Sequence, residues 1–522
     1  MKQVAVVGSG LAGLSVAHLL SKSKNHRVTI FESSSTCGLD VASVSVEDKE
    51  NNEVRIDVPM RSINKAYYPT LFKLFKHIGV QERQGGYETA WSEWKGNSSK
   101  ENPNTTYFNA FRPRTENWRC YYALIDPFCK PLTTLYFTFE FIRLFLHTVY
   151  YSYTNGFHLI HGTFGEYLEK HHFGGDFVTK FLLPFLTGMG TCSSDAMLEY
   201  PARVIMHMTS LFGTEFFQTK GGVRTVCEKL LSNVSNVNYN CAVVGVWHLK
   251  DENKVILQDS MGRFHTFDHV IFSTQAKIAK NILTANPPTE LQNRVSTPDA
   301  TLLTSLETFP YEPVKVIVHT EESIMPQDRK LWRGINITCD GKEAMATLWI
   351  NYTQDLPKGT KDFFESSSIF VKPEPIIPKE KILGQYTFPR SFVTEESCAG
   401  LDELERLQGK NQISFVGSWA WPGMPLLEGC VASAVRCSER LGLERPWVPE
   451  GYEALPWSPA DDTLETGIVE RFLRNELVAN KDQKLSLFSK LYNQIMIYYI
   501  GLFMWSTTTL IGLTVFNKKK LN

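Results

Sequence analysis

Little in the composition points to a polyanionic partner. Lys and Arg total 54 against 55 Asp and Glu, so there is no basic excess and no nucleic acid is expected to bind. The ten cysteines include no C-x-x-C pair and no Cys/His cluster at zinc spacing. That pattern implies buried or free thiols in a reducing compartment, and no metal site is expected. No apolar leader precedes the first strand, which starts almost at Met1. Sequons such as Asn97-Ser98-Ser99 and Asn351-Tyr352-Thr353 are therefore expected to escape glycosylation. The apolar stretch Leu132–Tyr153 is interrupted by Glu140, Arg143 and His147, which argues against a membrane span. A helix lying on a membrane, a cover over a greasy substrate channel and a plain core helix all remain open for it.

What is present begins at Lys2. Gln3–Val7 (QVAVV) has the length and composition of a buried parallel strand. It runs into Gly8-Ser9-Gly10-Leu11-Ala12-Gly13, then an apolar helix, then a second strand, Arg27–Phe31, ending in Glu32. A strand, glycine turn, helix and strand followed by an acid is a dinucleotide-binding unit. Gly8 allows the tight turn, Gly10 lets a pyrophosphate reach the backbone, and Gly13 lets helix and strand pack closely. The helix N-terminus offers N–H groups and a positive dipole end to phosphates. Glu32 can accept hydrogen bonds from ribose hydroxyls.

A chain of 522 residues predicts two to four structural units and a large core. Val54–Tyr68 opens as a strand and leads to Arg61, which either faces a bound cofactor or is an ordinary surface residue. Pro69–Val80 reads as an amphipathic helix ending at Gly79. Gln84–Arg114 is polar and reads as a long excursion. Asp176–Met208 is helical and apolar, with Gly188 and Gly190 as breaks. Gly221-Gly222-Val223 opens a helix through Leu231, and strands follow over Val237–Val246, Lys254–Gln258 and Phe264–Ser273. From Thr304 to Tyr352 the pattern is antiparallel. Lys315 within it either points inward with a partner or is solvated. Ile413–Val416 is a strand entering Gly417-Ser418, and a helix starts near Leu427-Glu428-Gly429.

Ile495–Phe516 is about 22 residues without a formal charge, roughly 33 Å as a helix and enough to cross a bilayer. A transmembrane anchor over 494–516 and a buried core helix are the two readings. Lys519-Lys520-Leu521-Asn522 resembles a dilysine retrieval signal. The expected place is an intracellular membrane with a single C-terminal pass, the endoplasmic reticulum before the mitochondrial outer membrane.

The glycine fingerprint, the Asp268-His269-Val270-Ile271 strand and the Gly417–Gly429 segment together resemble the flavin-containing amine oxidase superfamily, which includes monoamine oxidase, protoporphyrinogen oxidase and phytoene desaturase relatives. More narrowly, the chain resembles the NAD/FAD-binding amine-oxidase-like proteins of bacteria and fungi. IDVPMRSINKAYYP, KFLLPFLTGMGT with LEYPA, QTKGG, and VIVHTEESIMPQDRKLW also carry the likeness, from Met1 to about Gly442. The resemblance implies an α/β fold: a Rossmann-like, two-dinucleotide-fold FAD domain (1–80, 216–285, 401–445) with an inserted α+β substrate domain. The insert comprises a helical, membrane-facing part (81–215) and an antiparallel sheet (286–400). A linker (446–493) and the transmembrane helix follow.

It also implies non-covalent FAD held by Gly8, Ser9, Gly10, Leu11, Ala12, Gly13, Glu32, Gly38, Arg61, Val243, Gly417, Ser418, Leu427 and Glu428. Backbone N–H groups at the Leu427 helix start would point at the flavin pyrimidine. Lys315 corresponds to an inward catalytic lysine of the monoamine oxidases. Two departures stand out. Only Gly38 of Thr36-Cys37-Gly38-Leu39-Asp40 matches the usual Arg-x-Gly-Gly, and Tyr386-Thr387-Phe388-Pro389 lacks the flavin-linked cysteine. Three functions are compatible: an FAD-dependent oxidoreductase acting on a small lipophilic molecule, a redox-neutral isomerase or saturase of unsaturated lipids, and a non-catalytic flavoprotein fold on a membrane.

Overall fold

The computed structural model describes residues 1–47, 53–94, 104–109, 131–367, 377–447 and 495–511, apart from 87, 155, 211–215, 327, 341–342, 358, 446 and 497. In chain order, the elements that position the site are β1 (Lys2–Val7), α1 (Leu11–Ser21), β2 (His26–Phe31), α2 (Pro69–Ile78), β3 (Thr89–Trp94), β4 (Asn104–Asn109), α3 (Pro131–Tyr153), α4 (Gly222–Leu231), β5 (Asn236–Asn238), β6 (Val243–Leu249), β7 (Lys254–Asp259), β8 (Phe264–Phe267), β9 (His269–Phe272), β10 (Tyr311–His319), β11 (Ile335–Cys339), β12 (Ala344–Trp349), β13 (Phe364–Ser367), β14 (Ile382–Ser391), β15 (Ile413–Phe415) and α5 (Leu427–Arg440).

The first sheet is parallel throughout, in the order β5-β2-β1-β9-β15. β1 is its middle strand, and Val4 to Val7 are all buried. Val4 and Val6 face the helices, packing with Leu14, Ala17, Val226, Leu230, Val431 and Ala434. Ala5 and Val7 face the other way, into a cluster with Val246, Val255, Leu257 and Phe415. Both faces are covered, and that is why QVAVV is a continuous apolar run rather than an alternating one.

Two expected strands are divided. Val237–Val246 breaks at Asn240, which has φ +51°, so Asn236–Asn238 joins the parallel sheet. Val243–Leu249 joins a separate antiparallel sheet, β6-β7-β8. Phe264–Ser273 breaks at Asp268, whose carboxylate accepts from Gln3 N at 2.7 Å. Its first half pairs with β7 and its second with β1.

The large sheet has seven strands in the order β14-β10-β13-β12-β11-β3-β4. It is antiparallel except where β3 runs parallel to β11, Ile337 opposite Trp91. The excursion expected over 84–114 thus contributes two strands: β3 pairs with β11 far along the chain, and β4 pairs with β3. Helices including α3, Phe164–Lys170, Leu183–Gly190 and Ala202–Ser210 cover this sheet. Phe137, Leu144, Phe164, Leu186 and Ile205 pack there with Trp91, Ile337 and Ala344.

The ionisable residues of α3 all turn inward. Arg143 is fully buried, donating to Glu140 at 2.8 Å and to the His171 carbonyl at 2.6 Å. His147 Nδ1 lies 2.5 Å from the Tyr167 hydroxyl. Outward, α3 shows Leu135, Phe139 and Ile142. Residues 498–511 are helical, and Ile500 and Met504 bury themselves against Val149 of α3. Tyr498, Leu502, Trp505 and Leu510 remain exposed. No helix among the described residues is long and apolar enough to cross a membrane. The anticipated span of 494–516 is described only as far as 511, and nearly all of the 446–493 linker lies outside the described residues.

The fold turns on the contact of α1 with β1 and β9. A Cβ at Gly13 would stand 2.2 Å from the Gly8 carbonyl oxygen and 2.4 Å from Ser273 Oγ. Gly13→Val should therefore destabilise the protein by roughly 1–3 kcal/mol or more through overpacking. The readout is a lowered urea midpoint, and an unchanged midpoint would contradict this packing.

Candidate functional site

The glycine turn leaves the start of α1 uncapped and open at one edge. Gly8 sits at φ +101°, a conformation other residues enter with strain. Gly10 is the N-cap of α1 and no side chain caps the helix; its first turn carries no acid. A Cβ at Gly10 would meet nothing within 4 Å, so that edge borders open space. Unpaired N–H groups and a positive helix end there suit an anion.

Ser9 and Glu32 form a buried knot beside the turn. Ser9 N and Oγ donate to Glu32 Oε2 at 2.8 and 2.6 Å, and Ser34 N donates to Oε1 at 2.8 Å. Gly38 N donates to Ser9 Oγ at 2.7 Å, which holds the following loop against the turn. Burial alone would raise the Glu32 pKa, but the bonds from Ser9 and Ser34 outweigh it and hold the carboxyl below its ordinary value. For Glu32 to accept a ribose hydroxyl, the Ser9 hydroxyl would have to turn away.

A shallow cleft opens next to this knot, walled by Leu11, Leu39, Arg61, Ile63, Val223 and Leu427 among others. Arg61 Nη2 donates to the Leu39 carbonyl at 3.0 Å, while its Nη1 is buried with no partner. A buried guanidinium nitrogen without an acceptor is unusual and suits a missing anion. Behind it, the inner face of the large sheet carries a polar group that sequence reasoning missed. Glu365 on β13 is 2 % exposed and accepts from Met60 N at 2.9 and 3.1 Å. Burial pushes its pKa up to about 7, against the Met60 N–H and the charges of Arg61 and Arg390. Arg390 Nε is also buried without a partner. In sequence, Glu365 sits in the polar run FESSS, which reads as an edge. Its only signal is an acid flanked by Phe364.

Other expected residues are placed differently. Lys315 is exposed, between Val314 and Val316, which face the core; the solvated reading holds, and Lys315 is not an inward catalytic group. The Glu428 side chain turns away from the cleft and caps α2, accepting from Thr70 N at 2.9 Å and Leu71 N at 3.0 Å. Gly417 N donates to Ser433 Oγ at 3.0 Å, beneath α5. The carbonyl of Ser418 would lie 2.9 Å from a Cβ at Gly429. Val243 follows Cys241, whose N–H donates to the Glu32 carbonyl at 2.8 Å, so it lies on the Glu32 side. Leu11 and Ala12 are buried at the start of α1.

Residues 6–78 match the NAD(P)-binding Rossmann-like domain family. No curated protein matches the chain. Among solved structures, an oxidoreductase from Methanosarcina mazei superposes with a TM-score of 0.57 at 14 % identity, covering 84 % of this chain and 100 % of that one. The CLA-producing fatty acid isomerase from P. acnes gives 0.56 at 13 %, covering 85 % and 99 %. Cyclohexylamine oxidase from Brevibacterium oxydans IH-35A gives 0.55 at 12 %, covering 84 % and 99 %. Identities this low speak for the fold, and they agree with the sequence resemblance: the chain has the fold of amine-oxidase-like flavoproteins.

Glu365 supplies a pH test. Its pKa stands above the ordinary 4.5 at about 7, so the native state holds the proton more tightly than the unfolded chain. The penalty for ionising it is absent below pH 4.5, grows between 4.5 and about 7, and is complete above. Relative to wild type, Glu365→Gln should gain roughly 2–4 kcal/mol of stability on going from pH 4 to pH 8. Denaturant melts at the two pH values measure it, and a difference independent of pH would contradict the raised pKa.

Proposed function

We propose that the protein is an FAD-dependent oxidoreductase that binds its flavin non-covalently and takes hydride from a small lipophilic substrate. The observation that carries this reading is the cleft at the uncapped start of α1, with the orphaned Arg61 Nη1 on its wall. Gly8 to Gly13 would hold the diphosphate, Glu32 the ribose, and Leu427 with the start of α5 the far end. Bound FAD would supply, at its N5, the acceptor for one hydride, a proton together with two electrons. The chain supplies charge and protons: Arg61 and Arg390 favour negative charge nearby, and Glu365, with a pKa near 7, can hold or release a proton at neutral pH. The Tyr386–Pro389 segment has no cysteine, which favours a flavin that is not covalently attached.

One observation favours a second reading. With Lys315 exposed, the inward lysine that the family resemblance implied for amine oxidation is missing from the sheet. Double-bond chemistry on an unsaturated lipid without net oxidation then competes with amine oxidation, and one of the similar folds is a fatty acid isomerase. Absorbance near 450 nm, about where oxidised flavins absorb, should bleach when the anaerobic protein meets its substrate. Hydrogen peroxide output in air marks the oxidase, and product without peroxide marks the isomerase. A colourless protein indifferent to added FAD would contradict both.

The lipophilic substrate agrees with a seat on an intracellular membrane, the endoplasmic reticulum first. α3 exposes Leu135 and Ile142, and the 498–511 helix exposes Tyr498 and Trp505 while packing Ile500 and Met504 on the 145–153 end of α3. The double substitution Tyr498→Glu with Trp505→Glu should reduce co-sedimentation with phospholipid vesicles several-fold. Unchanged sedimentation would contradict this seat.

A further inference from the structure

Two cysteines far apart in the chain meet beside the dinucleotide cleft. Cys37 lies in the loop after β2, between Glu32 and Gly38, within the stretch where only Gly38 matches the Arg-x-Gly-Gly of the resemblance. Cys227 lies on α4. Their Sγ atoms are 2.9 Å apart across 190 positions of sequence. That is nearer than sulfur atoms rest in simple contact, and less than an ångström from a bond of about 2.05 Å. Both residues are free thiols here.

We propose that Cys37 and Cys227 are a reversible dithiol–disulfide pair that tethers the loop after β2 to α4, with Cys37 as the attacking sulfur. The pair lies behind the cleft and its neighbours line it: Leu39, two residues from Cys37, and Val223 and Val226, on α4 with Cys227. Closing the bond therefore ties these two lining segments together.

The two sulfurs are not equivalent. The Cys37 Sγ lies 3.6 Å from the Ser9 carbonyl, to which it donates as a thiol. The contact with Cys227 and the N–H groups of Leu39 and Asp40 hold the Cys37 pKa below the ordinary thiol value despite burial and the nearby Glu32. Cys37 and burial together raise that of Cys227. A thiolate-prone sulfur beside a protonated one is the arrangement of an attacking and a resolving cysteine. Burial pushes Cys192 and Cys437 up to about 12 and Cys430 to about 11, so they are poor competitors. Ser35 and Thr36 are exposed next to Cys37, which gives a small oxidant a short path.

With hydrogen peroxide as oxidant, the Cys37 sulfur attacks one oxygen. An S–O bond forms, the O–O bond breaks, and the leaving hydroxide takes the Cys37 proton as the first water. The Cys227 sulfur then attacks Cys37 Sγ: S–S forms, S–O breaks, and the departing hydroxide takes the Cys227 proton as water. Two thiols lose two electrons in all, and one peroxide becomes two waters. A dithiol reductant reverses the result by exchange.

This proposal rests on the sulfur geometry and stands apart from the identity of the substrate. The test uses the full-length protein, reduced and then titrated with hydrogen peroxide, with alkylation and peptide mapping by mass spectrometry. Cys37 and Cys227 should lose alkylation together, before Cys430 and Cys437, and give a cross-linked 37–227 peptide that dithiothreitol removes under native conditions. Cys227→Ser should stop at a dimedone-reactive sulfenic acid on Cys37, whereas Cys37→Ser should leave Cys227 alkylatable. The proposal is overturned if Cys430 or Cys437 oxidises first. It is equally overturned if the cross-link resists native reduction, or if Cys227→Ser forms no dimedone adduct.

Discussion

The close approach of α1 to the ends of β1 and β9 is the constraint from which the rest follows. With no side chain at Gly13, the helix starts directly over the Gly8 carbonyl. That places its uncapped N-terminus at the mouth of the cleft and leaves the edge of Gly10 open. The Ser9–Glu32 hydrogen bonds then bring the Gly38 loop onto the turn. Leu39 follows into the cleft wall, and its carbonyl fixes one end of Arg61. One missing methyl group thus organises the helix end, the loop and the guanidinium. Overpacking at such a point does not relax easily, because the nearest neighbour is the Gly8 backbone carbonyl, and the Ser273 hydroxyl beside it is itself bonded to the Val7 and Gly8 carbonyls.

The electrostatics of the site divide into two regions. Around Ser9, hydrogen bonds to Glu32 overcome burial and keep a carboxylate charged. At the inner face of the large sheet, burial overcomes hydrogen bonds and keeps Glu365 near its titration point at neutral pH. The two buried acids are thus shifted in opposite directions, one held charged and the other able to exchange a proton near neutral pH.

The sequence made legible what depends on local chemistry. The glycine turn and Glu32 could be read directly. So could the helix from Pro69 that stops at Gly79, a residue with φ +69°, and the helix from Leu427. What depended on distant pairing could not. The halves of Phe264–Ser273 differ in their partners, not their pattern, and β3 joins the sheet through β11, with β4 in turn pairing to β3 at the edge. Lys315 shows why the face of a strand is hard to assign. Val314, Val316 and Val318 enter one cluster while Ile317 enters another, so both faces of β10 carry apolar residues and alternation alone cannot say which is inward. Glu365 was hidden because Ser366 and Ser367, buried beside it, made the strand look solvated.

The central claim is that the cleft between α1, Arg61 and α4 binds FAD. Titrating the purified protein with FAD and following the quenching of flavin fluorescence tests it most directly, with Arg61→Ala as the partner measurement. The account predicts saturable binding at about one FAD per chain, weakened at least several-fold by Arg61→Ala. Absence of saturable binding, or binding unchanged by the loss of Arg61, would contradict it.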